Sequence, residues 1–176
     1  MKAGLILFQS KYGATQKYAK WLAEELEFDC VETKHADVKT VEKYDTIILG
    51  GGIYASGIAG LSFLRKNYSA FQGKKVAVFC VGASPFEDSA FRQIVDHNFK
   101  GAIAGIPCFY CRGAWDEEKM TFGDRTLCKM LQKAVSKKDP ADYEIWEKAL
   151  MCAVNQKCDW TDKSFLEPII TFAKTQ

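Results

Sequence analysis

The stretch Thr46-Ile47-Ile48-Leu49, with its counterpart Val76-Ala77-Val78-Phe79-Cys80-Val81, limits the fold more than any other feature of this chain. Both runs are apolar and lack polar alternation. A strand with one wet face alternates, whereas a strand buried on both faces reads as these do. Sheets covered on both faces are parallel, with helices making the crossovers. A third apolar run, Leu5-Ile6-Leu7-Phe8, opens the chain.

Helical patterns fill the intervals. Residues 3–9 read as a first strand and 14–27 as a helix with Ala19, Leu22, Ala23 and Leu26 on one face. Residues 28–33 form a weaker strand, and 34–44 a polar connection. The third strand covers 44–50, and a helix is expected at 58–67. The fourth strand covers 74–81, followed by a helix at 89–98. The fifth strand lies within 102–110. A helix at 123–136 places Leu127, Met130, Leu131 and Ala134 on one face. Asp139-Pro140 is a cap followed by a proline suited to a first helical turn, and that helix carries Tyr143, Trp146 and Leu150. Pro168 predicts an irregularity or a late start in the last helix, 162–174. The expected fold is α/β: a doubly wound sheet of five parallel strands with helices on both faces.

With 176 residues the chain suits one domain, residues 1–176, carrying an extra helical segment at about 137–158. Its net charge of +2, without a basic block, gives no reason to expect nucleic acid. No apolar run reaches the roughly 18 residues of a membrane span, and no secretory leader is visible, so a cytoplasmic protein is expected. Seven cysteines, an odd number, point to reduced thiols. Cys108 and Cys111 make a C-x-x-C, but on a strand side chains three apart point to opposite faces, which argues against a redox pair or metal site. His35 and His97 are expected at the surface. Glu87 and Asp88 read either as an acid pair at a site or as helix-start acids.

Ligands of such sheets sit beyond the carboxyl ends of the strands, where strand order reverses. Ser10-Lys11-Tyr12-Gly13-Ala14-Thr15 lies at one such end and opens a helix. Free first-turn amides and the helix dipole make this an anion site, with hydroxyls from Ser10 and Thr15 and a glycine that lets the backbone approach. A phosphate belonging to a cofactor is the expected occupant. Gly52-Ile53-Tyr54-Ala55-Ser56-Gly57 and the loop with Ala83, Ser84 and Phe86 end on the same side, as does a fourth loop with Trp115. Rival phosphate motifs are absent. There is no GxxxxGK[ST], no GxGxxG after the first strand, no tyrosine-phosphatase cysteine-to-arginine spacing, and no acidic pocket at the end of the first strand.

The loop at 10–15 resembles the flavodoxin family, whose first loop reads [ST]-x-[ST]-G-x-T. Ser10, Gly13 and Thr15 match, and Tyr12 departs at the third position. The resemblance is closer to the subgroup that includes the menaquinone-dependent protoporphyrinogen oxidases. Members of that subgroup relax the same position, and Gly113-Ala114 and Thr161-Asp162 are similar to it as well. It covers nearly the whole chain except about 137–158. The resemblance implies FMN, with its phosphate on the amides of residues 11–15 and its ring over 52–57 and 83–87. Tyr54, Phe86 and Trp115 are the implied ring contacts. It also implies an oxidoreductase passing electrons between the flavin and a quinone or other small organic partner. An electron carrier docking to protein partners and a non-redox FMN-binding module are the alternatives. Carriers of this family are acidic, and this chain is not. The segment at 137–158 needs cover, either beside the flavin or in a homodimer.

Overall fold

The computed structural model describes residues 2–175. Five parallel strands stand in the order β2-β1-β3-β5-β6. They are β1 (Lys2–Gln9), β2 (Asp29–Glu32), β3 (Tyr44–Tyr54), β5 (Lys75–Gly82) and β6 (Cys108–Arg112), and a two-residue strand β4 (Gly57–Ile58) folds back antiparallel on β3. The order reverses at β1, which places the carboxyl ends of β1 and β3 side by side: Leu5 pairs with Ile47 and Gln9 with Gly51.

The continuous apolar runs divide by parity, as a two-residue period requires. Leu5, Leu7, Ile47, Leu49, Val78 and Cys80 point to one face. There they meet Leu61 and Leu64 of α3 (Leu61–Lys66) and Ile94 and Val95 of α4 (Asp88–Asn98). Ile6, Phe8, Ile48, Phe79, Val81 and Cys111 point to the other. That face is covered by Tyr18, Ala19 and Leu22 of α1 (Ala14–Leu26) and by Ile169 of α7 (Glu167–Lys174), with Leu166 just ahead of it. Each fully buried Leu or Ile stabilises the fold by roughly 1.5–3 kcal/mol, which makes these two layers the dominant favourable term.

Several boundaries differ from the sequence reading. The connection 34–44 contains a short helix, α2 (Val38–Glu42), started by a reciprocal Asp37–Thr40 cap. β3 continues through the glycine run to Tyr54. Side chains there would collide with the Phe79 ring at Gly50, the Ala59 carbonyl at Gly51 and the Tyr54 hydroxyl at Gly52, so the glycines serve close packing and not a loop. Ile58 lies in β4, and α3 begins only at Leu61. Residues 101–103 form a 3-10 turn, and the fifth parallel strand begins later, at Cys108. The last helix starts late: a 3-10 turn at Lys163–Leu166 precedes α7, with Pro168 in its first turn, where a missing N–H costs nothing.

Beyond β6 the chain makes β7 (Ala114–Asp116), α5 (Phe122–Val135), α6 (Ile145–Cys152) and β8 (Lys157–Asp159). β7 and β8 pair antiparallel, with Asp116 opposite Lys157. Pro140–Asp142 is a separate 3-10 turn and not the first turn of α6. No helix among the described residues is long and apolar enough to cross a membrane.

Candidate functional site

β1 delivers Ser10 to Gly13 at the switch point, and α1 starts at Ala14. Gly13 is the N-cap residue at φ 101°, and no side chain caps the helix. The first helical bond is Lys17 N–H to the Gly13 carbonyl, 2.9 Å. The amides of the first turn therefore keep their donor capacity and the positive end of the helix dipole. Ser10 Oγ accepts from the Gly13 amide at 3.1 Å and holds the loop closed. A Cβ on Gly13 would meet nothing within 4 Å, so the glycine itself is uncovered on that side. Thr15 is 3% exposed.

An unexpected carboxylate stands over this loop. Asp124, in the first turn of α5, accepts hydrogen bonds from Lys11 Nζ and from the Tyr12 hydroxyl. These bonds hold its carboxyl below the usual range and push the Lys11 ammonium up. Tyr12 also accepts from the Thr121 amide at 3.3 Å, and the Lys11 ammonium lies 5.5 and 5.8 Å from the Tyr12 and Tyr54 ring centres. The phenol at the family's third loop position thus reaches past the loop and anchors α5.

Residues 52–57 are a hairpin and not a loop of glycines. Ile53 pairs with Ile58 and Tyr54 with Gly57 across a two-residue turn, in which Ala55 and Ser56 both take positive φ (47° and 66°). Non-glycine residues are strained in that conformation, and the surroundings must hold it. Asn98 does so. Its Oδ1 accepts from the Ile58 amide (3.0 Å), and its Nδ2 donates to the carbonyls of Ser56 (2.7 Å) and Ile94 (2.8 Å). Gly52 leaves room for the Tyr54 ring to fold back: a Cβ there would lie 2.6 Å from the Tyr54 hydroxyl. Burial pushes the Tyr54 phenol up, opposed by the neighbouring Lys11 amide and ammonium.

The third loop is tied to β6. Tyr110 donates to the Ser84 carbonyl (2.5 Å), Arg112 Nε to the Ala83 carbonyl (3.1 Å), and the Gly113 amide to the Gly82 carbonyl (2.7 Å). Phe86 is exposed, and its ring packs 5.6 Å from Phe91 and 5.8 Å from Tyr110. Glu87 caps α4 by accepting from the Ser89 and Ala90 amides, and Asp88 pairs with Arg92. Both acids thus act as helix-start groups.

Two cavities open at this edge. The larger, about 1020 Å³, lies between the hairpin, the third loop, α4 and the start of α6; Ile53, Ser56, Ala83, Ser84, Tyr110 and Trp146 are among its walls. The smaller, about 580 Å³, is bounded by Ser10, Lys11, Tyr54 and α3. The structure thus brings the first three loops to one edge. Trp115 stands apart, in the β7–β8 ribbon and bonded to Glu117, and, like Phe86, it lines neither cavity. His97 is exposed at the rim of the larger cavity.

Asp124 and Asn98 carry no signal in the sequence, because each acts across 40 positions or more, on a loop or a hairpin turn that only the fold brings near. Tyr18 belongs with them. It is fully buried on α1, donates to the Arg112 carbonyl at 2.6 Å and accepts from the Asp162 amide at 3.0 Å. The cysteine pair behaves as strand geometry requires: Cys108 lies beside Cys80, sulfurs 3.9 Å apart, while Cys111 is in the opposite layer. No group of three His, Cys, Asp or Glu suited to a metal exists among the described residues.

A family model described as a flavodoxin domain matches residues 5–144, and the chain belongs to that family. Among curated proteins none matches in sequence. Similar solved structures include the two-electron reduced flavodoxin of Megasphaera elsdenii, at 19% identity over 61% of this chain and 82% of that one, with TM-score 0.43. A flavodoxin, WrbA-like protein of Agrobacterium tumefaciens shares 18% identity over 71% and 88%, with TM-score 0.45. An NADH:FMN oxidoreductase in its apo form shares 17% over 64% and 76%, with TM-score 0.48.

The flavodoxin domain indicates FMN as the cofactor. The residues present fit that group, with uncapped amides at the start of α1, an uncovered Gly13, and a cavity of mixed apolar and polar walls at the neighbouring strand ends.

Proposed function

We propose that this chain is an FMN-dependent oxidoreductase that passes electrons between the flavin and a quinone or another small organic partner. Ser10, Lys11, Tyr12, Gly13, Ala14 and Thr15 hold the phosphate. Gly52, Ile53, Tyr54, Ala55, Ser56, Gly57, Ala83, Ser84 and Phe86 surround the ring, with Trp115 as the outlying member of the set. The flavin supplies the redox chemistry, and the chain's own groups orient it and set its surroundings. Residues 1–176 work as one FMN-binding unit in the cytoplasm, in keeping with seven unpaired thiols.

The observation that carries the reading is the cavity of about 1020 Å³ beside the hairpin and the third loop. Its volume is that of a small-molecule site. Ile53, Phe91, Ile94 and Tyr110 give it apolar walls, with Ile145 and Trp146 of α6 at one side. The flavin ring takes the part of this cavity beside Ile53, Ser56, Ala83 and Ser84; its extension to His97 of α4 and to Ile145 and Trp146 of α6 is the part we assign to a small partner, and a carrier needs no such extension. The menaquinone-linked protoporphyrinogen oxidase subgroup is the finer assignment that the loops at 10–15, 113–114 and 161–162 support.

The test is stopped-flow reoxidation of the reduced, FMN-loaded protein. Rapid, saturable reoxidation by a soluble quinone is expected, and it should slow when Ile53→Glu places a charge in the cavity wall. Indifference to quinone, with fast transfer to a protein acceptor, would replace this reading with the carrier.

A further inference from the structure

Helix α5 is built inside out. Its inward side is largely polar: Gln132, 9% exposed, donates to the Glu117 carboxylate (2.7 Å), and Arg125 donates to the carbonyls of Glu117, Glu118 and Met120, while Val135 is its one buried apolar residue. Its outward side is apolar. Phe122 is 86% exposed, Met130 65%, Leu127 53% and Leu131 40%. Helical spacing sets Phe122 and Met130 on one row and Leu127 and Leu131 on the next, so the four form one stripe. Lys129 and Lys133, both exposed and four residues apart, border it, and Lys137 continues their row.

Charge selects the occupant. From Lys119 to Lys138 the sequence carries six lysines and arginines against one acid, Asp124; Arg125 is turned inward and Lys138 pairs with Glu147, which leaves Lys119, Lys129, Lys133 and Lys137 exposed, while the whole chain has a net charge of only +2. A second copy docked through a twofold axis would set this basic row against itself, with like charges opposed. An anionic lipid surface satisfies both features at once: the apolar stripe enters the headgroup boundary, and the lysines meet the anionic headgroups. We propose that α5 lies on the surface of an anionic bilayer, in the plane of the interface, and tethers the domain there. The inference goes beyond the redox reading and stands without it.

The full chain is centrifuged with vesicles of pure phosphatidylcholine and with vesicles containing about one-third phosphatidylglycerol. Binding to the anionic vesicles is expected, weakening as salt rises and lower on the neutral ones. Each lysine near an anionic surface is worth roughly fivefold in partitioning, so Lys129→Glu with Lys133→Glu should lower it by more than about tenfold. Met130→Asp, at an exposed position, should lower it as well without shifting the melting temperature. No binding to anionic vesicles overturns the proposal. So does equal binding to both vesicle types, and so does a concentration-dependent dimer that Met130→Asp dissolves, which would make a second copy the true cover.

Discussion

Gly13 carries a conformational demand and no steric one. At φ 101° an L side chain is strained by roughly 1–2 kcal/mol, although nothing lies within 4 Å of its Cβ position. Gly13→Val should therefore re-aim the amides of the first α1 turn and weaken FMN by about tenfold, with riboflavin, which lacks the phosphate, much less affected. Flavin fluorescence titration reads both, and an unchanged FMN affinity removes the phosphate from this loop. Asp124 brings a negative charge to the same loop through Lys11 and Tyr12. Asp124→Asn keeps the hydrogen-bonding shape and removes the charge, so FMN should bind roughly fivefold tighter at low salt, an advantage that salt erodes. Asn98→Ala leaves the Ser56 carbonyl and the Ile58 amide without their buried partner, and should cost about 1–3 kcal/mol in urea unfolding. Gly13 was legible because a strand, a glycine and a helix start adjoin in sequence. Asp124 and Asn98 were not, because their partners are distant in the chain.

At the scale of elements, a ribbon strand is tied to a helix by one ion pair. Lys17 of α1 donates to Asp159 of β8 at 2.8 Å and to Thr161 at 2.7 Å. The Lys17 ammonium, then Thr161, bring the Asp159 carboxyl from 3.8 down to about 2. A depressed carboxyl pKa stabilises the fold above the unfolded value and loses that stability as pH falls from about 4 to about 2. Both side chains are largely exposed, so the contribution is about 0.5 kcal/mol. Asp159→Asn should flatten the pH dependence of unfolding within that window by this small amount. The elements themselves followed from period and caps, while their limits followed from packing. β3 outlasted its apolar run because Phe79, Ala59 and Tyr54 occupy the space its glycines leave. The fifth strand started at Cys108, where pairing to Val78 begins, and not at the apolar residues before it.

At the scale of the molecule, residues 117–156 leave and return through one point, since Asp116 and Lys157 face each other in the β7–β8 ribbon. Replacing 117–156 by an Asn-Gly turn should leave a cooperatively unfolding sheet, because both apolar layers lie outside the excised segment. Loss of cooperative melting would show that the segment is part of the core. The same excision should abolish quinone reoxidation, as α6 walls the larger cavity. By itself the sequence determined the parallel sheet, its two buried faces and the strand–glycine–helix junction at 10–15. Those features rest on apolar runs, two- and 3.6-residue periods and adjoining turn residues, all local in the chain. Only the tertiary structure decided what stands over the loop, what holds the strained hairpin and which way α5 faces. Those depend on which distant side chains the sheet order brings together: Asp124 over Lys11 and Tyr12, Asn98 under Ser56, and Gln132 turned inward to Glu117 while Met130 faces out.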